Sequence, residues 1–379
     1  MKSLALACAI LLSTVATYDV HALAVGSKKR GKTTASTGGG GFGAKENSVI
    51  HTPDTSESTS RLLQFLKAQN AKGLQRVEVG FDNTSGVRGL YALEKFKKDQ
   101  YICQIPSDCA LALSDPSKGG DDTPTVAHVG SNLLSMYLND EKQRQMWAPY
   151  LDTLPTFESS QFDVTPDYFQ DDELELLEFP RLIRQVRERK EQIKQVASEK
   201  GIDIKDLQFA TWLVNSRAFS FSISAEGGDD DEPKYDDRGQ VIMKAGEGKK
   251  IRVMVPFIDM ANHSSDQPNA KLTLIDPEKD DAWFALQATR PIAAGKEIVI
   301  AYGTGVESSS ELLLNYGFIP QSNKVDEFML QKGGDECISS LDGWTTTLEE
   351  DETMLPMAAD DPTLTKILNF RIKLKKAYK

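Results

Sequence analysis

The chain has 379 residues, 40% hydrophobic and 26% charged, ordinary proportions for a globular protein long enough for one large or two moderate domains. Residues 1–50 hold six Lys/Arg and two Asp/Glu, so the remainder carries 38 basic and 54 acidic residues, or −16 of the overall −12. A body this acidic repels phosphate backbones, which argues against nucleic acid as a partner and favours basic protein segments. The four cysteines (Cys8, Cys103, Cys109, Cys337) form no C-x-x-C pair, which argues against a disulfide scaffold or a structural zinc site.

Residues 1–50 read as a targeting segment. Lys2 precedes an apolar run over 4–16, and Val20-His21-Ala22 offers small residues at a cleavage position, the pattern of a signal peptide. The run is too short to span a bilayer comfortably, so no stable membrane insertion is expected after its removal. The following stretch, 26–44, is basic, Ser/Thr-rich and free of acids, as a transit-type extension is. The expected destination is the plastid through the secretory route, with secretion as the alternative. Gly26 to Thr33 matches the phosphate-cradling G-x-x-x-x-G-K-[ST] pattern. That loop needs a buried strand before it and a helix after it. Here a signal core precedes it and four glycines (38–41) follow, which no helix tolerates.

From about residue 60 the chain patterns as folded. Leu62, Leu63, Phe65 and Leu66 predict a short amphipathic helix over 61–69, and strands are expected at 89–93, 101–105 and 110–113. Helical periodicity then takes over, with helices predicted at 131–140, 182–200 and 206–221; Gly201 stops the second. Leu207, Ala210, Val214, Arg217 and Phe221 fall on one face of the third, so a charge sits on an apolar stripe. An acidic stretch at 226–237 reads as a solvated loop. Strands return at 251–255, 271–275, 283–288 and 297–300, and the basic end, 366–379, suits a helix. Periodicity alone gives the α+β class.

The order of several motifs then becomes informative. They are Arg88-Gly89-Leu90-Tyr91-Ala92, Trp147 to Pro155 (WAPYLDTLP), Asn215-Ser216-Arg217-Ala218-Phe219-Ser220, Val255 to Ser264 (VPFIDMANHS), Ile292 to Glu297 (IAAGKE), Ala301-Tyr302-Gly303 and Asn315-Tyr316-Gly317-Phe318. Together, over about 60–320, they resemble the SET-domain protein methyltransferases of the Rubisco large-subunit methyltransferase-like group. The resemblance implies a SET fold of small curved β-sheets with a pseudoknot, occupying 60–320 and split by a helical insert at about 126–250. A reduced C-terminal substrate-binding-like region would fill 321–379. The turn 83–87 (Asn-Thr-Ser-Gly-Val) lacks an acid that relatives often carry.

The implied activity is S-adenosyl-L-methionine-dependent protein-lysine N-methylation of a non-histone protein. The substrate would be a plastid enzyme such as Rubisco large subunit or aldolase. A lysine amine, with a free pKa of about 10.4, must be deprotonated and aimed. A narrow apolar channel lowers that pKa by desolvation, and positioning supplies part of the rate. No metal is needed. By the family's pattern, Tyr302 orients the reacting amine, and Asn262 and His263 hold the cofactor. Arg88 and Gly89 approach the cofactor with backbone groups, Arg217 pairs with its carboxylate or the lysine channel, and Phe318 packs on it. Asp259 and Tyr316 line the substrate channel. The alternatives are a protein-histidine methyltransferase, against which Tyr316 speaks, and a non-catalytic SET-fold peptide binder. Taken singly, Asn262-His263 reads as a buried hydrogen-bonded pair and Arg217 as an ion-pair partner of Asp259 or Glu297.

Overall fold

Strands β1 (His51–Pro53), β2 (Val77–Asp82) and β3 (Arg88–Ala92) form one antiparallel run. β3 then pairs antiparallel with β11 (Glu297–Ile300), which pairs in parallel with the two-residue β8 (Asn262–His263). A second sheet has the order β4-β10-β9 (Tyr101–Pro106, Trp283–Ala288, Ala270–Ile275). A third has β5-β7-β6 (Leu111–Ala112, Lys249–Met254, Ala218–Ile223). This computed structural model describes residues 51–113, 125–157, 165–223, 249–276, 282–303, 305–332 and 344–378. The expected targeting segment, the acidic stretch 226–237, Cys8 and Cys337 lie outside the described residues.

Every predicted strand is present within two residues of its expected ends. β1 and β2 were not among the predicted strands, although Val77, Val79 and Gly80 are buried where β2 meets β3. Helix α1 (Glu57–Ala68) begins four residues before the predicted helix, because the Ser56 hydroxyl accepts from the Thr59 amide and caps it. Its Leu62 and Leu66, four apart, are fully buried in the main core; each contributes about 1.5–3 kcal/mol of hydrophobic stabilisation.

The stretch between β5 and β6 is helical: α2 (Val126–Leu133), a π-turn (Leu134–Leu138), α3 (Glu141–Met146), α4 (Ala148–Leu151), α5 (Asp171–Glu175), α6 (Pro180–Lys200) and α7 (Ile204–Arg217). The predicted helix at 206–221 needs correction. Asp203 caps α7 through the amides of Lys205 and Asp206, and the helix stops at Arg217. Phe221 belongs to β6, since Phe219-Ser220-Phe221-Ser222-Ile223 alternates with a period of two rather than 3.6.

Beyond β11 the chain is helical again, with α8 (Ser309–Tyr316), α9 (Lys324–Lys332), α10 (Leu348–Met354) and α11 (Pro362–Tyr378). A second core cluster joins Phe169, Leu182 and Val186 to Leu313 and to Ile367, Phe370 and Leu374. The C-terminal helix therefore packs on α8 and shares this core with α6. No described helix is long and apolar enough to cross a membrane.

Candidate functional site

A buried, strained backbone introduces the site. Phe257 is fully buried with φ +72° and ψ −48°, a tight-turn conformation that costs a non-glycine residue of order 1–3 kcal/mol and that clusters at functional sites. The turn throws Ile258–Met260 into a single 3₁₀ turn and delivers Asn262 and His263 to the edge of β11.

Both protons of the Asn262 amide are committed. Nδ2 donates to the Arg88 carbonyl (2.9 Å) and to Glu297 Oε1 (2.7 Å). Only the carboxamide oxygen then remains, so the side chain presents an acceptor. Gly89 makes this arrangement possible. A Cβ there would come within 2.6 Å of Glu297 Oε1 and 2.7 Å of Asn262 Nδ2, closer than real Cβ contacts, so a side chain at this point would push apart the Glu297–Asn262 pair. Burial raises the Glu297 carboxyl above its ordinary range, with the Asn262 bond opposing it.

His263 is fixed as a neutral ring. Its Nδ1 accepts from the Tyr302 backbone N–H (3.0 Å), so the proton resides on Nε2, which faces the Ser265 hydroxyl at 2.7 Å. Burial brings its pKa down to about 4. Tyr302 completes a short circuit by donating its phenol to the Ala261 carbonyl at 2.9 Å. Around this pair the rings close up: Tyr302–Tyr316 centroids are 4.7 Å apart, His263–Tyr302 5.1 Å, and His263–Phe318 5.8 Å. Burial pushes the Tyr302 phenol far above its ordinary value and Tyr316 up to about 12; the Tyr316 oxygen also accepts from the Gly303 amide. Both phenols are neutral at pH 7.

The third part is ionic. Asp259 lies 7% exposed, its Oδ2 accepting from Tyr150 (2.7 Å) and lying 3.4 Å from Arg217 Nη1. Burial raises the Asp259 carboxyl, and Arg217 opposes the shift. Arg88 is coupled electrostatically to both Arg217 and Asp259, while its Nη2 donates to the Thr153 carbonyl. Two buried atoms here have no hydrogen-bond partner among the described residues, Asp259 Oδ1 and Arg217 Nε. Among buried groups such orphans call for an explanation.

The nine predicted residues thus gather around one corner. Asn262 meets Arg88 and Gly89; His263, Tyr302, Tyr316 and Phe318 form one aromatic group; Arg217 meets Asp259, one of the two ion-pair partners (Asp259 or Glu297) expected of it taken singly. Tyr150 was not singled out from sequence, and Glu297 was named there only as a possible partner of Arg217, whereas it holds Asn262. Tyr150 sits in the WAPYLDTLP motif, where a tyrosine in an apolar run was a signal in itself. Glu297 sits in IAAGKE, where an acid opening a buried strand was another.

Comparison with known proteins follows the same outline. The SET domain family matches residues 87–303. Over 263 residues the chain is 24% identical to the chloroplastic ribulose-1,5 bisphosphate carboxylase/oxygenase large subunit N-methyltransferase of Nicotiana tabacum. The match covers 64% of this chain and 47% of that protein, so the chain spans about half the length of the curated relative. Among solved structures, the SET domain of LSMT bound to lysine and AdoHcy superimposes with a TM-score of 0.58 at 17% identity, covering 86% of this chain and 90% of that one. Rubisco LSMT bound to AdoMet gives 0.56 at 17%, with coverages of 85% and 90%.

Proposed function

The chain belongs to the SET-domain family, and from that premise we propose that it is a protein-lysine N-methyltransferase using S-adenosyl-L-methionine. The observation that carries the reading is the convergence of Asn262, His263 and Tyr302 beside Tyr316 and Phe318. The residues suit the cofactor. A glycine cradle at Gly89, an outward acceptor on Asn262 and the orphaned Arg217 Nε offer contacts to an amino acid's ammonium and carboxylate. When bound, S-adenosyl-L-methionine supplies an electrophilic methyl on a sulfonium centre.

The chain's own groups supply the rest. Tyr302 uses its O–H to donate a hydrogen bond to the Ala261 carbonyl, so the phenol oxygen offers lone pairs to an incoming amine. Because burial keeps that phenol neutral, it orients the amine rather than deprotonating it. Tyr316, tied to Gly303, forms the facing wall. The rings exclude water, which lowers the amine's pKa and strengthens each oxygen's hold on developing positive charge. Asp259, with Arg217 and Tyr150, sits at the polar end of this lining. A second phenol suits an amine and supports lysine over histidine as the target.

For the substrate we propose a non-histone protein of the plastid. The kinship to a chloroplastic enzyme and the basic, acid-free stretch at 26–44 support this. Rubisco large subunit and aldolase are the first to test. In domain terms we propose a SET unit at 60–320, its helical insert at about 126–250, and a substrate-binding-like region at 321–379. Incubating the chain with labelled S-adenosyl-L-methionine and plastid or whole-cell extract, followed by mass spectrometry of the labelled band, tests activity and target together. Label on lysine of one protein is expected; label on histidine, or none with the cofactor demonstrably bound, defeats the reading.

A further inference from the structure

The turn bearing Tyr316 and Phe318 is held by side chains that come from far along the chain. Gly317 closes α8 with φ +77°. A Cβ there would also come within 2.4 Å of the Thr165 methyl, so the turn is seated against the 165–168 segment and only glycine fits. Arg189, from α6, donates through Nη1 to the Leu314 carbonyl (2.9 Å) and through Nη2 to Asn315 Oδ1 (2.7 Å). Asp167 holds the same Nη1 at 3.2 Å. From the opposite direction Lys366, in α11, donates its Nζ to the Gly317 carbonyl at 2.8 Å.

Two cations therefore grip the carbonyl end of one helix, where the backbone dipole favours positive charge. Burial pulls the Lys366 ammonium below its ordinary pKa. A half-buried charge is a costly way to fasten a surface loop. The carbonyl it fastens belongs to the residue between Tyr316 and Phe318, whose rings stand 4.7 Å and 6.3 Å from Tyr302.

We propose that Lys366, opposed by Arg189 on α6, is a positioning residue that fixes Tyr316 against Tyr302 and so sets the width of the amine channel. The C-terminal helix thereby becomes part of the site's geometry without touching a reacting atom. This rests on the methyltransferase reading above. Displacements of about 1 Å in such positioning contacts cost about a hundredfold in rate.

The test compares the full chain with Lys366→Met and Lys366→Arg, using AdoHcy and monomethyl-lysine as probes. Calorimetry reads AdoHcy affinity, then monomethyl-lysine affinity of the AdoHcy-loaded protein. Fluorotyrosine incorporation, with Tyr316→Phe for assignment, reads the Tyr316 resonance by fluorine NMR. Lys366→Met is expected to leave AdoHcy affinity within about twofold, weaken monomethyl-lysine by about tenfold and shift or broaden the Tyr316 signal. Lys366→Arg should restore both. If Lys366→Met fails to fold, Arg189→Gln addresses the same turn by the same readouts. An unmoved Tyr316 resonance with unchanged monomethyl-lysine affinity overturns the proposal, as does an equal loss of both ligands. Should the wild-type chain not bind AdoHcy, the methyltransferase reading fails, while the fluorine signal still decides the role of Lys366.

Discussion

Asp259, beside the Asn262–His263 corner, and Asp351, among the C-terminal helices, are both buried next to an arginine, yet their surroundings are finished to different degrees. Asp351 accepts from Arg371 at 2.7 and 3.2 Å, from Lys375 at 2.5 Å and from Thr346 at 2.6 Å. Both oxygens are spoken for, and Arg371 reaches on to the Leu176 carbonyl. Asp259 has one good bond, from Tyr150, and a long one from Arg217, with one oxygen and the Arg217 Nε left over. A closed network fastens helices together. An open one, in a buried place where unmet polarity is expensive, keeps capacity for something that arrives.

The comparison can be broken most forcefully at Asp351. Replacing it with alanine takes the carboxylate from buried Lys375 and leaves Arg371 with only the longer Glu178 contact (3.4 Å), so a loss of about 3–5 kcal/mol in unfolding free energy is expected. AdoHcy affinity of the protein that remains folded should hold. Denaturant titration and calorimetry check the two halves, and a stable variant with weakened AdoHcy binding would erase the contrast. On the other side, Tyr302→Phe should reduce turnover at least about a hundredfold, with cofactor affinity nearly unchanged and little change in stability. Among the described residues its hydroxyl donates to the Ala261 carbonyl. Full activity in single-turnover assays would remove Tyr302 from the chemistry.

Acid offers a gentler probe. The folded His263 titrates near pH 4 instead of its ordinary 6.5. A depressed pKa contributes stability that is complete above pH 6.5 and is lost as pH falls through about 4. Protonation would also abolish Nδ1 as the acceptor for the Tyr302 amide. Stability should therefore decline between pH 6.5 and 4, and AdoHcy affinity should fall as pH passes about 4, each more steeply than in His263→Asn. Parallel curves for the two proteins would show that the ring does not carry the effect.

Much of this arrangement was legible beforehand, and the residues show why. The strands at 283–288 and 297–300 were readable because alternation and turn residues bound them, and α6 because Gly201 ends it. The predicted helix through Phe221 failed where two periodicities overlap: Val214, Arg217 and Phe221 suit a helix, and Phe219, Phe221 and Ile223 suit a strand. Pairing with β7 settled that contest. Asn262, His263 and Tyr302 could be nominated through resemblance, since a short polar step in an apolar run says little by itself. What one-dimensional reasoning lacked was the long-range closure. Neither the Tyr150–Asp259 bond across 109 positions nor the Lys366–Gly317 bond across 49 leaves a local pattern.

Glu297 gives the finest test of how far neutral contacts on the sheet side are engineered for a ligand. Its Oε1 accepts one N–H of the Asn262 amide while the Arg88 carbonyl accepts the other, which leaves the carboxamide oxygen as the group the side chain can present. Glu297→Ala frees one of those protons, and the amide can then rotate to offer a donor where an acceptor is required. AdoHcy affinity should fall about tenfold, or ~1.4 kcal/mol. Glu297→Gln retains an acceptor in the same place and should stay within about threefold, the difference reflecting the weaker bond to a neutral group. If Glu297 merely packs the strand, both substitutions should lower the melting temperature alike and spare AdoHcy binding. A split between the two in affinity, without a matching split in melting, requires that the carboxylate act through the orientation of Asn262.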